Sequence, residues 1–489
     1  MSSEDAGALL SEDEARERLR TLAIEFLAAA WERLVADHIA PRPKHQPRMK
    51  LTSDWFWGGG SGWPLAGEME QTLEASFPRR FRETDGSLAR EFASVHLPLL
   101  VEDMVALQTE MPFDAACAQA VNDLIQFLDS ESHVVMAQRI VSHVGVAETA
   151  VLGGTGVEVT PLDVRGWIYA GDVFDVAAVE TDQLFLHSEH PHVLLTSTAT
   201  YRPGDRWDDR FDEASTNLDH AVALLRLFRR TSARNVVEYR GFVQRGALAR
   251  PLQAAWRNDT LAGLAFAGTE FATTLDDSAL LQFAEFERIY VDVLEKALAD
   301  WHARELEVAG MQTGLNQFTA SFSHDPWMVQ VPRLITALEA WLLPEADTEA
   351  VTGRLRTRLC LLLQEDAESC AQLYSDVTKL YGLRSSMEHG ADVVAKKARR
   401  TIRGAAGTDG DLHGINGATA IERLRELVRK AICVRLVLAS GDAPAWPIID
   451  RQPVDVQMLE DGFRRECRQR LREESDRLGL TLFEALPPA

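Results

Sequence analysis

Cysteine is scarce in this chain, and long apolar runs are missing from it. Its five cysteines, Cys117, Cys360, Cys370, Cys433 and Cys467, are odd in number and show no CxxC spacing. That excludes a thiolate metal knuckle and a regular disulfide framework, and reads as reduced thiols. No segment reaches the roughly 18 uninterrupted apolar residues of a membrane span, and Met1 to Glu14 is acidic and polar, without the basic-then-apolar pattern of a signal peptide. These absences predict a cytoplasmic protein with no membrane contact. Positive charge is in deficit as well: the formal net charge is -23. A surface that repels phosphate excludes broad, non-specific affinity for nucleic acid, so any RNA site has to be local.

Two tempting motifs also lack what they need. The stretch from Trp55 to Pro64 holds three tryptophans and four glycines but no Gly-Lys-Ser/Thr, so it is not a phosphate-cradling P-loop and reads as a loop packed on a core. The run His187-Ser188-Glu189-His190-Pro191-His192 collects three imidazoles and a carboxylate. It straddles a strand end and a proline turn and has no second ligand group at diagnostic spacing, so no metal and no cofactor are expected.

What is present is mostly helical periodicity. Glu14 to Val35 is amphipathic and ends at Pro41-Arg42-Pro43, and residues 88 to 128 read as two helices around Pro112. From His133 to Thr200 the pattern changes to short β-branched or aromatic segments separated by Gly, Pro and Asp, such as Val134 to Met136, Gly156 to Val159, Trp167 to Tyr169, Gln183 to Leu186 and Val193 to Leu195. These predict a small antiparallel sheet. Beyond Pro203 helices are expected over Leu218 to Arg230, Ala247 to Trp256 and Ser278 to Leu306, with a polar break near Gln312 to Asp325. The expected fold is mainly α with an α+β N-terminal region and a C-terminal helical bundle. It divides into a helical segment 1–130, an α+β module 131–315, a bundle 320–440 and a helical appendage 441–489, whose Val454 to Arg477 helix packs on the bundle or extends a dimer contact.

The most informative stretch is Leu380 to Gly390. Leu373, Val377, Leu380 and Met387 follow the spacing of a core stripe, and Arg384 occupies the stripe position between the last two. A guanidinium on a core-facing position must meet a carboxylate, carbonyls, a partner subunit or a bound phosphate, because burying it unpaired costs several kcal/mol or more. Ser385 and His389 stand four residues apart on an adjacent face. Gly390 is a natural residue to end the helix, which puts His389 in the last turn, where the helix dipole favours its charged form. An arginine beside such a histidine suits phosphodiester chemistry. A plainer alternative is open at this point: Arg384 pairs internally with Glu388 or with Glu339, which sits at the edge of the Leu334, Leu338 and Leu342 stripe. Downstream, Lys396, Lys397, Arg399, Arg400 and Arg403 form a basic cluster before a glycine-rich loop from Gly404 to Gly417, able to steer RNA or to stand solvated.

Tyr381-x-x-Arg384-Ser385-x-x-x-His389-Gly390, preceded by Ala337-Leu338-Glu339-Ala340-Trp341-Leu342-Leu343 and the Arg354 to Leu363 segment, resembles the HEPN superfamily, specifically its ApeA-like branch, over residues 320 to 440. The resemblance implies an up-and-down helical bundle that forms a homodimer, with two Arg/His motifs facing each other across a cleft. It also implies a metal-independent endoribonuclease, of the kind found in phage defence and abortive infection. Arg384 would hold the scissile phosphate and stabilise its developing charge, and His389 would serve as general base or acid. Tyr381, Ser385, Glu339 and Glu388 would support them. Ser385 stands where active relatives often carry Asn, Asp or His. The N-terminal module would then be the sensor for a phage-derived or protein trigger. The other reading is a non-catalytic HEPN dimerisation module whose N-terminal region binds a ligand or a protein.

Overall fold

The computed structural model describes residues 11–36, 64–81, 87–108, 110–162, 190–202, 205, 207–242, 253–255, 272–299, 301–322, 327–343, 351–364, 366–388, 413–440, 448–449, 452–484 and 486. Among the described residues four long helices come first: α1 (Glu12–Ala36), α2 (Pro64–Ser76), α3 (Ser87–Gln108) and α4 (Phe113–Asp129). Each buries one apolar stripe, such as Leu19, Leu22, Phe26 and Ala30 on α1 or Cys117, Val121, Leu124 and Leu128 on α4. The stripes meet because α1 packs on α2 and α4, and α3 on α2 and α4.

The sheet follows: β1 (His133–Ser142), β2 (Val144–Val146), β3 (Ala150–Leu152), β4 (Val157–Leu162) and β5 (His192–Tyr201), then helix α5 (Trp207–Phe228), β6 (Arg234–Phe242), β7 (Gln253–Ala255) and β8 (Thr273–Leu275). Six strands make an antiparallel sheet in the order β3-β4-β5-β1-β6-β7, and β2 pairs with β8 in parallel. Helix α5 lies on β1 and β5. Its place is set by a charge at the centre of the sheet. Arg139 on β1 stands opposite Glu238 on β6; the two pair with both side chains fully buried, Ser215 of α5 donates to Glu238 at 2.7 Å, and Arg139 reaches Asp219 of α5 at 2.8 Å. Such a network is tolerated only when every member finds its partner. The helical N-terminal layer is tied to the sheet by rings: Phe127 stacks on His133 at 3.7 Å between centroids.

The remaining long helices among the described residues are α6 (Asp277–Ala299), α7 (Trp301–Ala320), α8 (Trp327–Leu342), α9 (Val351–Leu363), α10 (Ala367–Glu388), α11 (His413–Ala439) and α12 (Asp461–Leu478). Helix α11 is the hub, buried almost throughout from Ala420 to Ser440, and it touches α5, α6, α8 and α12. Glu287 of α6 accepts a hydrogen bond from the amide of Gly154, and Gly153 beside it, at φ +50, leaves no space for a Cβ.

The protein is therefore mainly helical with a small antiparallel sheet, and the helices around Pro112 stand as expected. Several expectations need correction. The chain does not return to helices alone after Pro203: β6, β7 and β8 were not foreseen, and Gln253–Ala255, within the expected helix Ala247 to Trp256, pairs with β6 as a strand. The polar break near Gln312 to Asp325 is largely helix, since α7 runs to Ala320, and the boundary near residue 315 falls inside it. The glycine-rich loop ends earlier than Gly417, because α11 starts at His413. Ser278 to Leu306 divides into α6 and α7, and Val454 to Arg477 into a short turn of helix and α12. Helix α12 packs on α6, α9 and α11. Pro41 to Pro43, the tryptophan-rich stretch Trp55 to Trp63, and the segments Trp167 to Tyr169 and Gln183 to Leu186 lie outside the described residues.

Two outcomes test this packing. A Cβ on Gly314 of α7 would stand 2.6 Å from Cδ1 and 2.7 Å from Nε1 of the fully buried Trp341, so Gly314→Ala is expected to destabilise by about 1–3 kcal/mol in a denaturant titration. The hydrogen bond from Arg288, then that from Arg477 at 2.9 Å, hold the Glu285 carboxyl down at about 2 against its partial burial, and so join α6 to α12. A depressed carboxyl stabilises above its unfolded pKa and loses that contribution as pH falls through the folded one. Glu285→Gln should therefore melt below wild type at pH 7, with the gap closing between roughly pH 4.5 and 2.

Candidate functional site on helices α8, α9 and α10

Helix α10 is capped by Asp366 just before it, whose carboxylate accepts from the Ser369 amide at 2.8 Å, a bond that holds this carboxyl below its usual range. Leu373, Val377 and Leu380 are buried as their spacing requires. On the flank of that stripe Asp376 pairs with Arg423 of α11 at 2.7 Å, both nearly buried. The stripe thus fixes the rotation of α10 about its axis, and Arg384 arrives at the next stripe position.

There it meets α8. Leu334, Leu338, Trp341 and Leu342 are fully buried, which leaves Glu339 on the rim. Nη1 of Arg384 donates to both oxygens of Glu339 at 2.8 Å, and the Tyr381 hydroxyl donates to Oε1 at 2.7 Å. The Arg384 side chain is 28% exposed and that of Glu339 25%. Burial, and after it the Glu339 carboxylate, raise the Tyr381 phenol above its ordinary pKa, while Thr352 of α9 also hydrogen-bonds to it. Of the alternatives open for Arg384, a carboxylate is the partner found, and it is Glu339.

The structure therefore brings together Arg384, Glu339 and Tyr381. Ser385 and Glu388 belong to α10 by backbone, and their side chains lie outside the described set. So do His389 and the basic residues Lys396, Lys397, Arg399, Arg400 and Arg403. Three residues of this face were not singled out in the sequence: Thr352 and Arg356 of α9, and Tyr374, one heptad before Tyr381. Two signals were available, the heptad repeat of tyrosines and an α9 with three arginines and no acid.

Elsewhere, His190 stacks on His143 with ring centroids 4.2 Å apart, while His187 and Glu189 fall outside the described residues. Among the described residues no group of three or more His, Cys, Asp and Glu is placed to hold a metal ion, and no helix is long and apolar enough to cross a membrane. All five cysteines are free thiols. Comparison with protein-family models, with curated proteins and with solved structures finds no match.

The Arg384 and Glu339 pair makes a measurable prediction. Across Arg384→Ala, Glu339→Ala and the double variant, unfolding free energies should show a coupling of about 0.5–3 kcal/mol, the double change costing less than the sum of the single ones. Additive costs would mean that the two side chains do not pair in solution.

Proposed function

We propose that this chain is a metal-independent endoribonuclease of HEPN type, with a composite site built from Arg384 and His389 of two subunits. The observation that supports this reading best is the rim position of Arg384: a guanidinium aimed by a carboxylate and a phenol from two helices, yet left partly in solvent. In the proposed reaction the ribose 2′-hydroxyl gives its proton to one histidine and attacks phosphorus. The bond to the 5′-oxygen breaks, that oxygen takes a proton from an imidazolium, and a cyclic 2′,3′-phosphate is left. Arg384 stabilises the charge that grows on the phosphoryl oxygens, and Glu339 limits the rotamers Arg384 samples, so little ordering remains for the reaction step. The resemblance of the 320–440 region supplies the remaining elements: a cytoplasmic homodimer in phage defence or abortive infection, with the N-terminal α+β region sensing the trigger.

A second reading is favoured by one specific observation. Glu339 already compensates the charge of Arg384, so the same contacts suit a non-catalytic dimerisation module in which the pair only joins α8 to α10.

Induced expression in bacteria of wild type, Arg384→Ala and His389→Ala, with and without phage challenge, separates the two. Growth arrest with fragmented total RNA in the wild type, lost in both variants, is the expected result. Intact RNA in every strain under both conditions would favour the dimerisation module.

A further inference from the structure

Many of the described arginines meet an acid or the carbonyls at a helix end; Arg356 is held by neutral groups and a ring. Its Nε donates to the main-chain oxygen of Thr352 at 3.0 Å and its Nη1 to the Thr378 hydroxyl at 2.9 Å, and its guanidinium carbon lies 4.4 Å from the centre of the Tyr374 ring. Every one of these partners is neutral. Among the described residues no carboxylate pairs with Arg356. Helix α9 has no acidic residue, in a chain whose net charge is -23. What sets Arg356 apart as a ligand site is the exposed aromatic ring that lies against it, Tyr374 at 43%.

This pair is also continuous with the candidate site. Thr352, whose carbonyl anchors Arg356, hydrogen-bonds through its side chain to Tyr381, and Tyr381 donates to the carboxylate that holds Arg384. Ten residues of α10 separate Tyr374 from Arg384, a rise of about 15 Å along one helix. Charge without a counter-ion recognises phosphate, and a tyrosine ring with a guanidinium against it gives a base a surface to stack on. Only an unpaired strand offers both groups together, because duplex RNA keeps its base faces covered.

We propose that Arg356 and Tyr374 form a nucleotide-binding subsite that stacks one base of a single-stranded RNA and contacts its phosphate, holding the strand whose scissile bond lies at Arg384. The proposal rests on the ribonuclease reading and names the form of its substrate. Arg356 and Tyr374 are positioning residues, since the reacting atoms lie a helix segment away.

The test uses the full chain and a fluorescent oligouridylate with 2′-O-methyl riboses, which removes the nucleophile and so separates binding from cleavage. Tyr374→Ala should weaken binding about 5- to 150-fold, the range of base stacking on aromatic side chains, while Tyr374→Phe keeps wild-type affinity. Tyr374→Leu keeps apolar bulk against Arg356 and should bind like Tyr374→Ala, which separates lost stacking from a disturbed fold. Arg356→Ala should weaken binding and lower the slope of log affinity against log salt by about 1. On an abasic oligomer of the same length, Tyr374→Ala should make no difference. Unchanged affinity in Tyr374→Ala, with Arg384→Ala impaired, would overturn the subsite and leave the ribonuclease reading standing. Equal dependence on Tyr374 with a duplex or an acidic peptide would overturn it too, and failure of the wild type to bind any RNA would remove both.

Discussion

The helical half of the molecule depends on arginines from one helix that terminate another. The last carbonyls of a helix have no partner within it, and they carry the negative end of its dipole. Here those carbonyls are met by guanidiniums crossing the core. Arg429 of α11 bonds Leu227 O at the end of α5 at 3.1 Å, and Arg333 and Arg425 reach Ala320 O and Ser321 O after α7. Arg435 bonds Trp341 O at 3.1 Å, and Arg358 bonds Leu342 O, both at the end of α8. Arg468 and Arg470 of α12 do the same for Leu361 O of α9 and Ser440 O beyond α11, at 2.8 and 2.7 Å. A buried guanidinium alone would cost several kcal/mol, as would buried, unpaired carbonyls; placed together they satisfy one another. Helix ends can then meet inside the core, with no need for each to reach water. The arginine-rich α12 shows the consequence most plainly, because Arg468, Arg470 and Arg477 all reach out of it to other elements of the fold.

The candidate site inherits its geometry from this arrangement. Glu339 sits one turn before the end of α8, where Arg358 and Arg435 anchor the carbonyls and the close approach of Gly314 to Trp341 sets the distance to α7. Helix α10 is held from its other side by Asp376 and Arg423. Two helices fixed in this way leave little freedom in the separation of Glu339 and Arg384, and the Tyr381 hydroxyl closes the remaining gap. The polar contacts at the rim are therefore a readout of buried contacts further in.

Much of this was legible in the chain because it follows from periodicity. The Leu373, Val377 and Leu380 stripe, the position of Arg384 on it, and Glu339 at the edge of the Leu334, Leu338 and Leu342 stripe all come from spacing along a helix. What was not legible depends on partners distant in sequence. Strand β6 carries Arg234, Glu238 and Arg240, a pattern that looks solvated until Glu238 is found buried against Arg139, nearly a hundred residues away. Gln253 to Ala255 has helix-forming composition, and pairing with β6 overrides it. The polar residues around Gln312 suggested a break because a helix face turned to solvent and a loop have similar composition; the close packing of Gly314 on Trp341 keeps α7 helical there. Arg356 and Tyr374 lie on different helices, and no spacing rule within one helix relates them.

The ion pairs among the described residues span a wide range of exposure, and the Arg384 and Glu339 pair lies in the middle of it. Some pairs are sealed: the side chains of Arg139 and Glu238 are both fully buried, and those of Arg429 and Glu426 are 2% and 4% exposed. Pairs such as Arg210 with Glu213 lie on the open surface, at 37% and 49%, where ion pairs contribute little. Arg384 and Glu339, at 28% and 25%, fall between these classes. They are buried enough for the charge of Arg384 to act at reduced dielectric, and open enough for an anion from solvent to reach the guanidinium. A sealed pair would have to break before it could bind a phosphate, and a surface pair would be screened by salt. The intermediate position avoids both penalties, and this is the electrostatic support for the proposal that Arg384 meets a phosphodiester at this rim.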